Sequence, residues 1–155
     1  KVGKRLFCRP ASLDGLPTGV VRYGAPSSMF GAPTAYAGVV KMPQAGDPTF
    51  AFAGWGAPGP CVGLLALGLA PDVPGTTILG GVQLHIDVSQ PFVTIALLAN
   101  PNGVATLPAS LANNAVGERF FVQFLWVGPG GFFGMSEGAT TSHSKPRPLI
   151  CRYSP

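Results

Sequence analysis

Ser136 has the surroundings in this chain that most resemble a reaction centre. It lies in GMSEG, residues 134–138, which fits the G-x-S-x-G pattern of a hydrolase nucleophile. That pattern works where a strand-to-helix turn lifts the serine above a parallel sheet and an acid and a histidine later in the chain relay its proton. Here the only later histidine is His143, no acid lies between Glu137 and it, and no helical pattern follows. The motif is read as a glycine-bulged strand. His85 and Asp87, two apart on one strand face, could begin a metal site. Two histidines in all and no C-x-x-C pair leave a closed zinc site without ligands. His85 and Asp87 are read as a solvent-facing polar pair. The acids are scattered, with Asp47 and Asp72 beside prolines as turn residues, so neither a calcium cluster nor paired glycosidase carboxylates are legible. GPGGFFG (128–134) lacks the lysine and helix of a phosphate loop. No catalytic residue, metal site or cofactor is assigned.

Three cysteines allow at most one internal pair. Cys61 opens an apolar strand and reads as a buried, inert thiol. Cys8 and Cys151 stand in comparable extended, basic segments, RLFCRP (5–10) and PLICRYS (148–154). The termini of a β-sandwich often run side by side, so a Cys8–Cys151 disulfide clasp is the first reading. Closing a loop of about 140 residues would contribute roughly 5 kcal/mol in the chain-entropy account. The rival reading is that the ends reach another subunit, with Cys8 paired there or left free. Trp55, Phe132 and Phe133 fall in glycine-rich stretches read as loops. Such rings can stack on the apolar face of a sugar, or they can cap the end of a core.

The elements that must position these residues follow from composition. Charged residues are 10% and hydrophobic residues 46%, with 22 Gly and 17 Pro. Short apolar runs punctuated by Gly and Pro are the composition of an all-β domain, and the apolar content excludes a disordered chain. One domain is expected from 155 residues. No apolar run reaches membrane length, so no membrane span is expected, and the longest run is CVGLLALGLA (61–70). Low charge, abundant Thr, Ser, Gly and Pro, and paired-looking cysteines suit an extracellular or cell-surface protein whose leader has been removed. The net charge of +4 is uneven: +4 over residues 1–22, −3 over the middle and +3 over 145–155. Basic ends flanking an acidic body are either solvated tails or connectors to an acidic surface of this or another copy. Basic residues are too few, and unaccompanied by any motif, for nucleic acid.

Along the chain, strands are expected at VVRY (20–23), YAGVVKM (36–42), TFAFA (49–53), VGLLALGLA (62–70), VQLHIDV (82–88), FVTIALLA (92–99), VATLPASL (104–111), RFFVQFLWV (119–127), MSEGATTS (135–142) and PLICRY (148–153). In VQLHIDV the residues Val82, Leu84, Ile86 and Val88 alternate to one face. NPNG (100–103) reads as a hairpin turn returning into 104–111, APDVPGTTILGG (70–81) as a long loop, and GWGAPGP (54–60) as another. RFFVQFLWV, apolar on both faces, is expected to be central or covered on its second face. The expected fold is an antiparallel β-sandwich, Ig-like or jelly-roll-like, of eight to ten short strands with extended terminal segments.

Several of these stretches carry a resemblance. GDPTFAFAGWGAPGPCVGLLALGLAP, a strand ending in V-S-x-P, ANPNGVATLPASL and RFFVQFLWVGPGG follow one another in this order. The chain resembles the small β-sandwich domain common at the C-terminus of large secreted proteins of planctomycete-like bacteria. The matching residues are Gly56 to Gly59, Leu64 to Leu69, Asn100 to Leu107, Phe121 to Trp126 and Gly128 to Gly130. The family often has a cysteine where this chain has Val82, and it carries no assigned activity. The resemblance covers residues 23–142, the expected sandwich domain. It leaves 1–22 and 143–155 as basic extensions holding Cys8, Cys151 and seven net positive charges.

The function expected is that of a secreted, non-enzymatic structural subunit. It would self-assemble into a homo-oligomer, filament or surface array through sheet edges and through Lys4, Arg5, Phe7, Arg9, Ile150 and Arg152 of the extensions. The alternative is an adhesin-like module binding a cell-surface glycan through Trp55, Phe132 and Phe133.

Overall fold

Arg119–Val127 places Phe120, Val122, Phe124 and Trp126 on one face and Phe121, Gln123 and Leu125 on the other. In the computed structural model these nine residues form the central strand, and both faces are covered. The structure describes residues 19–28, 34–41, 43–44, 46–78, 81–110, 118–127, 133–136 and 138–142. Cys8 and Cys151 with their expected clasp, Lys4, Arg5, Phe7, Arg9, Ile150, Arg152, Phe132 and the expected strand 148–153 lie outside them.

Twelve strands are present among the described residues, all paired antiparallel: β1 (Val20–Tyr23), β2 (Ser27–Ser28), β3 (Tyr36–Val39), β4 (Ala51–Trp55), β5 (Val62–Gly68), β6 (Pro71–Thr77), β7 (Gln83–Ile86), β8 (Phe92–Leu98), β9 (Val104–Pro108), β10 (Arg119–Val127), β11 (Phe133–Met135) and β12 (Gly138–Ser142). The molecule is an antiparallel β-sandwich. The main sheet runs β8–β5–β10, then divides: β12 and β1 flank one half of β10, and β11 and β2 flank the other. A second sheet, β3–β4–β9, packs on the inner face. The core between them is Phe50, Phe52, Leu65, Val122, Phe124 and Trp126, with alanines from both sheets filling the remaining space. No helix of the described residues is long and apolar enough to cross a membrane.

Two more strands, β6 and β7, form a ribbon on the opposite face of the main sheet. Residues 70–81 read as a loop because of Pro71, Pro74 and Gly75, yet Pro71–Thr77 is a strand. Its pairing jumps from Pro71↔Ile86 to Thr76↔Leu84. Asp72 holds this large bulge, its Oδ1 accepting the Gly75 N–H at 3.2 Å and its Oδ2 the Thr76 hydroxyl at 2.7 Å. A carboxylate thus satisfies donors that the irregular ladder leaves out.

A turn forms at NPNG, with Asn100 and Val104 bonded across it and the Asn100 side chain accepting two further N–H groups, but it is not the expected hairpin. It does not fold β9 back onto β8. β9 pairs β4, so the turn carries the chain from one sheet to the other. Residues 135–142, read as one bulged strand, are two strands separated by the bulge. Leu125 pairs Met135 and Val122 pairs Ala139, so three steps on β10 face four on its neighbour.

Candidate functional site

Ser136 sits at that bulge, and its environment is structural. It is fully buried. Its Oγ accepts the Phe124 N–H at 3.0 Å, in place of the carbonyl that the bulge displaces. Its own N–H donates to the Phe124 carbonyl at 2.9 Å. The freed Ser136 carbonyl accepts Gln123 Nε2 at 2.8 Å. The hydroxyl therefore completes a ladder on β10, consistent with the bulged-strand reading of GMSEG.

Gln123 extends this chain of bonds to the ribbon. Its Nε2 also donates to the Gln83 carbonyl at 2.9 Å, and its Oε1 accepts the His85 N–H at 2.7 Å. The solvent-facing placement of His85 is wrong: the residue is 1% exposed. The period-2 pattern of 82–88 misleads because β7 ends at Ile86 and lies against the main sheet, so both its faces meet protein, while Val88 is exposed beyond the strand. The imidazole occupies a slot between Gly24 and Gly75. A Cβ at either would approach the ring to 2.5–2.6 Å, and both have positive φ. Nδ1 faces the Asp72 carbonyl at 3.1 Å. Nε2 meets the N–H and carbonyl of Ala25 at 3.3 and 3.1 Å. Tyr23 closes the slot, its hydroxyl donating to the His85 carbonyl at 3.0 Å. Burial, with Asp72 adding to it, pushes the Tyr23 phenol far above its ordinary value. Among the described residues no three His, Cys, Asp or Glu side chains converge as a metal site.

Trp55, read in a loop, ends strand β4. It pairs Tyr36 across the sheet and stacks on it, with ring centroids 6.4 Å apart and planes 27° from parallel. The Arg22 guanidinium lies 5.8 and 5.7 Å from the two ring centroids, and its Nε donates to the Ala37 carbonyl. The sequence reading missed Tyr36 and Arg22 because cross-strand partners separated by 14 or more positions carry no local signal. Phe133 falls in β11, paired with Val127.

β8, with β6, is the most exposed of the longer strands. Among the described residues only β5 pairs with it, so its other side is a sheet edge. FVTIALL has no charge and no proline, and its pairing with β5 is unbroken over seven residues. Phe92 is 41%, Val93 53% and Leu98 73% exposed, on both faces of the sheet. At the Phe92 end, Leu67, Leu69, Phe92, Val93 and Phe120 line an apolar groove of about 240 Å³. Two acids stand at this end. Asp87 donates its N–H to the Ala70 carbonyl, beside Leu69, and Glu118 precedes Phe120 by two residues. The Ser89 N–H and hydroxyl both bond the Asp87 carboxylate and hold it below the usual carboxylate range.

Cys61 is a buried free thiol, pushed up from its ordinary value by desolvation. No protein-family model, curated protein or solved structure matches the chain.

Proposed function

We propose that this chain is a secreted, non-enzymatic structural subunit that self-associates into an extracellular filament or surface array. One observation supports the reading: β8 is a long, uncharged, regular edge strand with apolar side chains exposed on both faces. Proteins that remain monomeric blunt such edges with lysine, proline, a bulge or a covering loop. An edge left open favours main-chain pairing with another chain. A net charge of only +4 opposes association weakly, and the basic extensions are complementary to the acidic body. β8 is at one side of the main sheet, whereas β1 and β12, to which the extensions connect, are at the other. A contact joining opposite sides is heterologous and repeats as a closed ring or an open polymer.

Light scattering and negative-stain microscopy of untagged protein test this. Regular species of many subunits are expected; a 15.9 kDa monomer at every concentration overturns it.

The Tyr36–Trp55 pair favours a second reading, a module for cell-surface glycan. The platform would then be this pair with Arg22 beside it. Trp55→Ala would abolish retention on immobilised glycan while leaving the native mass unchanged.

A further inference from the structure

We infer that the open side of β8 is the acceptor for residues 148–153 (PLICRY) of a second copy, which add to it as an antiparallel strand. The inference rests on the self-assembly reading and identifies its two surfaces. Every pairing in the main sheet is antiparallel, so a strand added to β8 in the same sense runs from its Leu98 end to its Phe92 end. That direction brings the C-terminal part of PLICRY to the groove. Tyr153 then meets the apolar wall of Leu67, Phe92, Val93 and Phe120. An aromatic ring matches the groove. Ile and Tyr favour the extended backbone that pairing requires, and alternate residues Leu149, Cys151 and Tyr153 give the segment one apolar face.

Reach decides between the chain's own segment and that of a neighbour. β12 ends at Ser142, opposite Arg119, at the same end of the sheet as Phe92. The outer side of β8 lies four strand spacings away, about 19 Å, and the antiparallel start lies about 20 Å further along the strand, a straight path of roughly 28 Å. The six steps from Ser142 to Pro148 extend at most about 21 Å. The segment falls short of its own β8 in this orientation, and a second copy has no such limit.

Cysteine pairing tests the inference, because opposed residues on neighbouring strands lie within disulfide range. Thr94→Cys, Ile95→Cys and Ala96→Cys are made separately in full-length Cys8→Ser and Cys151→Ser backgrounds, assembled and mildly oxidised. The expected result is a disulfide between the β8 cysteine of one copy and Cys151 of another, in the Cys8→Ser background only, mapped with mixed heavy- and light-isotope protein. Val93→Lys, with folding checked by circular dichroism, should abolish the large species. Bridging only in the Cys151→Ser background would assign β8 to the segment around Cys8 and overturn the inference. A bridge within one copy, or polymers with no bridge at any of the three positions, would overturn it while leaving self-assembly standing. A wild-type monomer removes both.

Discussion

Gln123 and His85 join two layers of the molecule through one short bond: the Gln123 Oε1 accepts the His85 N–H at 2.7 Å. The same amide donates to Gln83 and Ser136, so one side chain ties the ribbon, the central strand and the bulge together. Gln123→Leu keeps the volume and leaves an N–H and two carbonyls buried without this partner. Each such group costs about 1–3 kcal/mol, and partial relaxation makes a total loss of about 3–4 kcal/mol the expected outcome. Urea unfolding followed by tryptophan fluorescence measures it. A loss below 1 kcal/mol would mean that the ribbon is held by other contacts.

The slot around His85 gives a second test. Gly75→Ala places a methyl group against the imidazole and forces an alanine to adopt φ +81°. Gly59→Ala imposes a comparable φ of +78° with nothing near the new methyl group. The Gly59 change should cost about 1 kcal/mol, from backbone strain alone. The Gly75 change should cost at least about 2 kcal/mol, since a clash with a packed ring adds to it. Equal melting temperatures for the two variants would show that the ring is free to move aside.

Thr141 should behave in the opposite sense. It is fully buried in β12, and its Oγ1 has no hydrogen-bond partner. Thr141→Val removes that hydroxyl and keeps the β-branched shape suited to a strand. A gain of about 1 kcal/mol is expected, because an unsatisfied buried hydroxyl is costly. A loss would mean that the hydroxyl has a bonded partner in solution.

Most of the sandwich was legible in the sequence because its inner strands announce themselves. Phe120, Val122, Phe124 and Trp126 alternate toward the core, and the apolar 62–68 run is a strand, paired with β10. The ribbon was not legible. Its first strand contains two prolines and a glycine, and it is held by the Asp72 side chain rather than by a regular ladder. His85 looked like a surface residue because alternation distinguishes two faces, not whether one of them meets a second layer. β8 was recognisable as a strand, but its place at an edge depends on sheet order, which local sequence does not encode. The same holds for Trp55, whose glycine neighbours suggested a loop while its cross-strand partner Tyr36 lies 19 positions away.

Stability should fall on the alkaline side, and Tyr23 identifies why. Burial raises the Tyr23 phenol and the Cys61 thiol above their ordinary values of 10.0 and 9.0. A raised folded-state value means that the unfolded chain loses its proton first. The contribution is fully present below the unfolded-state values and disappears as pH climbs through and beyond them. The urea midpoint should therefore hold steady to about pH 8.5 and decline from about pH 9 upward, first through the thiol and then through the phenol. Tyr23→Phe removes the phenol from this balance together with its bond to the His85 carbonyl. The variant should be less stable than the parent at pH 8 by about 1 kcal/mol, the usual net worth of one such bond. Above pH 10 its midpoint should decline less steeply, so that the two curves converge. Parallel curves from pH 8 to 11 would show that the phenol is not shielded in the folded protein, and that the Tyr23 contact with the ribbon opens in solution.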